Sequence, residues 1–270
     1  RNAESGYSHL ILLCQNETGY KNLIHLVSKG FTEGFYTKPR IDKELLKNHS
    51  EGLIALSACL AGEVPSKLMG GDYEGAKSTA LEYLQIFGED NYYLELQDHG
   101  YPEERSINPM LIRISRETGI PLVLTNDVHY TVKSDHEMQN VLICIGTNHT
   151  LDEENPLSFK TNEFYLKSAE EMAELFPALP EAISNTVKIA ERCNFKFEFG
   201  EIKLPYFDLK DRDHSEVMKE MCSEGLKKLV GENPPREYTE RLSYELSVII
   251  KMGYTDYYLI VADFVNFAKR

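Results

Sequence analysis

Through its first 130 residues the chain alternates short apolar runs with amphipathic stretches of helical period, a pattern that few architectures accommodate. The runs HLILLC (9–14), GLIALSA (52–58), NYYLELQ (91–97) and IPLVLTN (120–126) have the length and continuity of buried strands. Between them the spacing predicts helices from Thr18 to Gly30, over 73–87 and over 103–118. In the first of these Leu23, Ile24, Leu26 and Val27 are expected to face inward, with Gly30 as the stop. Strands alternating with such helices form βαβ units and hence a parallel sheet or barrel. Four strands are fewer than a full eight-fold barrel requires.

Beyond residue 130 the strand signal fades. His136 opens a helix, and Ser168 with Glu171 three residues on forms a capping box ahead of another. A further helix begins near Pro180. The polar stretch 200–213 reads as a linker, followed by helices over 214–229 and 237–252, the latter stopping at Gly253. The sequence starts at Arg1 and stops at Arg270 inside a helical pattern, as a piece of a longer chain would.

The hydrophobic share of 42% is enough for a sizeable core. The net charge of −14 lies almost wholly before residue 205, so the body draws no polyanion by its overall field. The near-neutral remainder is freer to approach one. Five Cys (Cys14, Cys59, Cys144, Cys193, Cys222), odd in number and without a C-x-x-C pair, argue against a disulfide scaffold and for a reducing, cytoplasmic setting. No apolar run reaches the length of a membrane span.

Chemistry concentrates where strands end. Asp127 and His129, two apart in LTNDVHY, share one side of an extended segment at the C-terminal tip of the fourth strand. That edge gathers ligands in α/β folds. The pair suits half a metal or phosphoester site, and equally a turn Asp beside a hydrogen-bonded His. Cys59 ends the second strand at the same edge, although a free Cys is ordinarily a small buried hydrophobe. His9 starts its strand rather than ending it, which reads as structural. Glu95, inside a strand, needs a partner, and His99 precedes a Gly in a turn. Lys38 and Arg40 sit on a Tyr/Pro loop as solvated cations or phosphate contacts. There is no P-loop, G-x-G-x-x-G, G-x-S-x-G or H-E-x-x-H.

Five blocks in order carry a resemblance: YSHLILLCQNETGYKNLIHLVSKGFTEGFYTKPRID, GLIALSACLAGEVP, YYLELQDHG, PLVLTNDVHY and YELSVIIKMGYTDYYLIVADFVNFAKR. Together they resemble the bacterial replicative DNA polymerase III α subunits. The resemblance implies that residues 1–205 are most of a PHP (polymerase and histidinol phosphatase) domain, a distorted (β/α)7 barrel holding up to three metal ions and truncated at its N-terminus. Residues 206–270 would be the helical beginning of the polymerase palm. It implies Zn2+ or Mn2+ ligands at His9, Cys59, Asp127 and His129, overriding the structural reading of His9, with Glu95 and His99 as lesser candidates. The family's earlier ligands would lie before Arg1, and the palm aspartates that use Mg2+ would lie after Arg270. The implied activities are template-directed DNA synthesis in the full subunit and 3′→5′ exonuclease action in the PHP domain. A non-catalytic scaffold docking a separate proofreading exonuclease is the alternative. The implied partners are DNA, deoxynucleoside triphosphates, the sliding clamp and that exonuclease, with no membrane.

Overall fold

The computed structural model describes residues 6–201 and 207–270, apart from 154 and 156. Four strands form one sheet in the order β1 (Ile11–Cys14), β2 (Leu53–Leu56), β3 (Tyr92–Leu96) and β4 (Leu122–Leu124). All four lie within the runs expected from sequence. β2, β3 and β4 are parallel, whereas β1 is antiparallel to β2, with Ile11 opposite Leu56 and Cys14 opposite Leu53. The expectation of parallel βαβ units therefore fails at the first strand. The chain leaves β1 and enters β2 at the same end of the sheet, through α1 (Glu17–Thr32) and α2 (Lys43–Asn48).

Side-chain alternation along the strands explains the burial. One face carries Leu53, Ala55, Tyr92, Leu94, Leu96, Leu122 and Leu124, which join a core with α3 (Glu63–Met69), α4 (Tyr73–Phe87) and α5 (Pro102–Thr118). The opposite face carries Ile54, Leu56, Tyr93 and Val123, packed with Ile189 of a later helix, Pro180–Arg192. Because both faces are covered, β2 reads in sequence as an unbroken apolar run. Local signals set the helix ends. Asn16 Oδ1 accepts the Gly19 N–H at 3.0 Å to start α1, and Asp72 accepts the Gly75 N–H at 2.9 Å to start α4. Pro102 opens α5, and Gly119, at φ 77°, closes it.

Two expectations for α1 are corrected. Gly30 does not stop it: the helix continues to Thr32, and Gly30 is buried close to Pro39, Arg40 and Ile41. Leu26 is buried and Leu23 half-buried, but Ile24 and Val27 are about half exposed, because they lie off the Leu23–Leu26–Gly30 face.

By contacts the chain forms two compact units, Arg1–Phe197 and Glu198–Arg270. The first also holds α6 (His136–Thr147), α7 (Ala169–Leu175), whose Ser168–Glu171 capping box is formed, and α8 (Pro180–Arg192). The second consists of α9 (His214–Val230), α10 (Arg236–Lys251) and α11 (Thr255–Lys269) around Val217, Met218, Leu246 and Leu259. Positions 202–206 of the expected linker lie outside the described residues. Among the described residues no helix is long and apolar enough to cross a membrane.

Candidate metal centre

The reversal of β1 decides the position of His9. The start of an antiparallel strand lies at the edge where its parallel neighbours end, so His9 stands with the C-terminal tips of β2–β4. The register carries it to the level of Ala58, two residues beyond the Ile11–Leu56 pair. His9 N–H donates to Ala61 O at 2.9 Å, and His9 forms a bridge with Gly62. Placement at the start of a strand, which on sequence argued against His9, is what brings it to the site edge.

Cys59 follows a tight exit from β2. Ala58 takes a left-handed conformation at φ 66°, and the Gly62 N–H closes the turn on Cys59 O at 2.7 Å. Cys59 Sγ then stands 3.7 Å from His9 Nδ1. The turn has no room for a side chain at residue 62, since a Cβ there would lie 2.1 Å from Ser57 O. We expect Gly62→Ala to cost about 1–3 kcal/mol, as overpacking does, and to part His9 from Cys59. Urea unfolding measures the first effect, and the rate of thiol alkylation at Cys59 measures the second.

At the tip of β4, Asp127 and His129 are both exposed, and His129 Nδ1 lies 3.7 Å from Asp127 Oδ1. The same nitrogen is 3.0 Å from the Asp127 carbonyl oxygen. A carbonyl only accepts, so Nδ1 carries a proton, and in the neutral ring Nε2 keeps its lone pair. A metal-binding His is set up in the same way.

Glu95 lies beneath these tips, 2% exposed. Its Oε1 accepts from Thr125 Oγ1 and from Gln97 Nε2 (3.2 Å), while Oε2 is buried without a hydrogen-bond partner. Burial pushes the carboxyl pKa up and the nearby Asp127 charge adds to this, against the hydrogen bonds from Thr125 and Gln97. A carboxyl raised in the folded state binds more protons there than when unfolded. Its contribution is therefore fully present below the unfolded pKa of about 4.3 and is lost as pH rises through the folded value. We expect Glu95→Gln to remove that part of the pH dependence, seen as a flatter difference curve in unfolding measured from acid to neutral pH.

His99, also 2% exposed, is surrounded on every side. Its ring stacks on Phe164 with centroids 4.3 Å apart, and both ring nitrogens have partners within the chain. Lys38 and Arg40 lie over the rings of Tyr7 and Tyr36, and His136, the first residue of α6, faces Phe159 O at 3.0 Å.

The structure thus joins His9 to Cys59 and Asp127 to His129. Among the described residues, however, it gathers no group of three or more His, Cys, Asp or Glu able to hold a metal ion. The expected single cluster of four is two pairs. Stagger in the sheet is the reason: β2 ends at Leu56, level with Tyr93, whereas β4 ends at Leu124, level with Leu96, so the two exits leave the sheet three residues apart. At about 3.3 Å per residue, that offset is about 10 Å along the strands. In kind, the thiol, imidazoles and carboxylates suit Zn2+ or Mn2+, and the orphaned Glu95 Oε2 is an uncompensated acceptor that a cation would satisfy. Gln97, Asn126, Thr125 and Glu104 also belong to this edge and were not singled out from sequence. For Gln97, Thr125 and Asn126 the one available signal was their recurrence at strand ends, and Glu104, in the first turn of α5, carried none.

Comparison with known proteins gives two family matches: the PHP domain over residues 2–99 and the bacterial DNA polymerase III alpha NTPase domain over 216–270. DNA polymerase III subunit alpha of Treponema pallidum is 47% identical over 269 residues, covering 98% of this chain and 23% of that protein. The subunit from Borreliella burgdorferi is 46% identical, covering 96% and 23%, and that from Helicobacter pylori strain J99 39% identical, covering 97% and 24%. The chain therefore spans about a quarter of the length of these relatives. Two family matches in sequence order, and similarity to one subunit along nearly all of its residues, place this chain in the DNA polymerase III α subunit family.

Proposed function

We propose that the chain is the metal-binding PHP portion of a replicative polymerase subunit, with residues 1–205 as most of a distorted (β/α)7 barrel and 206–270 opening the palm. The full subunit would carry out template-directed DNA synthesis with Mg2+, deoxynucleoside triphosphates and a sliding clamp, in the cytoplasm. The barrel edge would hydrolyse DNA from its 3′ end. The observation that carries this reading is the presence of two donor pairs, His9 with Cys59 and Asp127 with His129, at the C-terminal edge of one sheet, with Glu95 Oε2 buried and unpartnered. Bound Zn2+ or Mn2+ supplies an acidified water and a clamp for the phosphodiester. The chain's own residues present the donors: Cys59 and His9 from the β2 exit, Asp127 and the free Nε2 of His129 from β4.

A second reading, a non-catalytic scaffold that docks a separate proofreading exonuclease, draws on the separation of the donors into two pairs. One experiment decides between them. The chain is incubated with 3′-labelled single-stranded DNA and Mn2+, and nucleotide release is followed beside Asp127→Asn and a chelator. Release that both abolish supports hydrolysis. Bound metal without release supports the scaffold.

A further inference from the structure

We propose that Glu104 and His99 form a positioning pair that holds the backbone of Asp127 and so aims its carboxylate, His99 serving as a strut and not as a ligand. The geometry is complete at every joint. Glu104, in the first turn of α5, is 5% exposed. Its Oε2 accepts the His99 backbone N–H at 2.6 Å, and its Oε1 lies 2.8 Å from His99 Nδ1. A carboxylate beside Nδ1 places the proton there, so Nε2 retains its lone pair. The Asp127 N–H points at that lone pair, 3.0 Å away.

Neighbouring groups restrain the strut. Thr161 Oγ1 donates to His99 O at 2.6 Å, and Phe164 stacks on the ring within 6° of parallel. Asn126 Oδ1 stands 3.1 Å from His99 Nε2, with its Nδ2 donating to Tyr165 O at 2.7 Å. Asn126 Oδ1 would take a proton from Nε2, and the Asp127 N–H aimed at the same nitrogen selects the form without one. β3 and β4 meet here in register, His99 level with Asp127. A loop residue beyond the end of β4 is thus fixed by a side chain from the turn that follows β3. Partners of this kind orient metal ligands, and losing one typically lowers metal affinity about 10–100-fold.

Two substitutions of His99 separate the roles. His99→Gln keeps an acceptor near the Nε2 position for the Asp127 N–H. His99→Asn keeps a donor near Nδ1 for Glu104 but reaches no further. A packing role ranks Asn and Gln alike, whereas the strut requires Gln to retain function and Asn to lose it.

The probes are Zn2+ affinity of the 270-residue chain and amide hydrogen exchange at Asp127, with far-ultraviolet circular dichroism confirming the fold. We expect His99→Asn to weaken Zn2+ binding about 10–100-fold and to speed exchange at Asp127, with His99→Gln close to the unsubstituted chain. Glu104→Gln, which can accept at only one of the two sites, should fall between. Equal exchange at Asp127 in the Asn and Gln variants overturns the proposal. The consequence for affinity rests on the metal reading above, but the exchange measurement does not. A chain that binds no Zn2+ yet shows the Asn–Gln difference in exchange refutes the metal site and leaves the strut standing.

Discussion

Asp127→Ala is expected to abolish the stabilisation that Zn2+ gives this chain. With the metal at a hundred times its dissociation constant, binding to the folded state alone adds about 2.7 kcal/mol, and chelation removes the same amount. Asp127 is exposed, and its side chain has no buried contact to lose, so the metal-free variant should melt close to the metal-free chain. The effect is thus confined to the melting curves taken with Zn2+. A Zn2+-induced shift of equal size in chain and variant would remove Asp127 from the site.

The largest loss of intrinsic stability is expected at Leu94. It is fully buried in the centre of β3, flanked on the same face by Tyr92 and Leu96 and across the ladder by Leu122. Leu94→Ala should cost about 2–5 kcal/mol, the transfer term plus the cavity left by partial relaxation. At about 2–4 °C per kcal/mol for a protein of this size, the melting temperature falls by roughly 4–20 °C. Ile24→Ala, on the exposed side of α1, should change stability by no more than about 0.5 kcal/mol. The pair makes an internally controlled test of where the core lies.

The sequence made much of the first unit legible because short buried strands and capped helices announce themselves. The range 73–87 was readable from its period and is α4 to the residue, and Ser168 with Glu171 marked α7 unaided. The direction of β1 was not readable. Strand polarity depends on where the connection returns, and HLILLC has the same hydrophobic pattern either way up. That gap is also why His9 looked structural by position and needed the family resemblance to enter the site. Ile24 and Val27 were misassigned because α1 carries apolar residues on more than one face, and composition alone does not say which face meets the sheet. The short helices α2 and α3 were missed: six and seven residues give too few turns for a period to show. At the site, residue types at strand tips pointed to one edge of the sheet, where His9 with Cys59 and Asp127 with His129 stand. Their division into two pairs is a matter of register, which no spacing within a single strand encodes.

The left-handed turn at Ala58 bears on how such a protein can be made hardier. A residue with a Cβ gives up about 1–2 kcal/mol in that conformation, and glycine would recover it while returning up to about 1 kcal/mol through a freer unfolded chain. Ala58→Gly should therefore be neutral to mildly stabilising in denaturation experiments. The same change frees the peptide that sets the direction of Cys59, so the thiol would sample orientations away from His9. Selection for heat resistance alone would accept the glycine and selection for a defined thiol–imidazole pair would reject it, making position 58 a place where durability and chemical readiness pull in opposite directions.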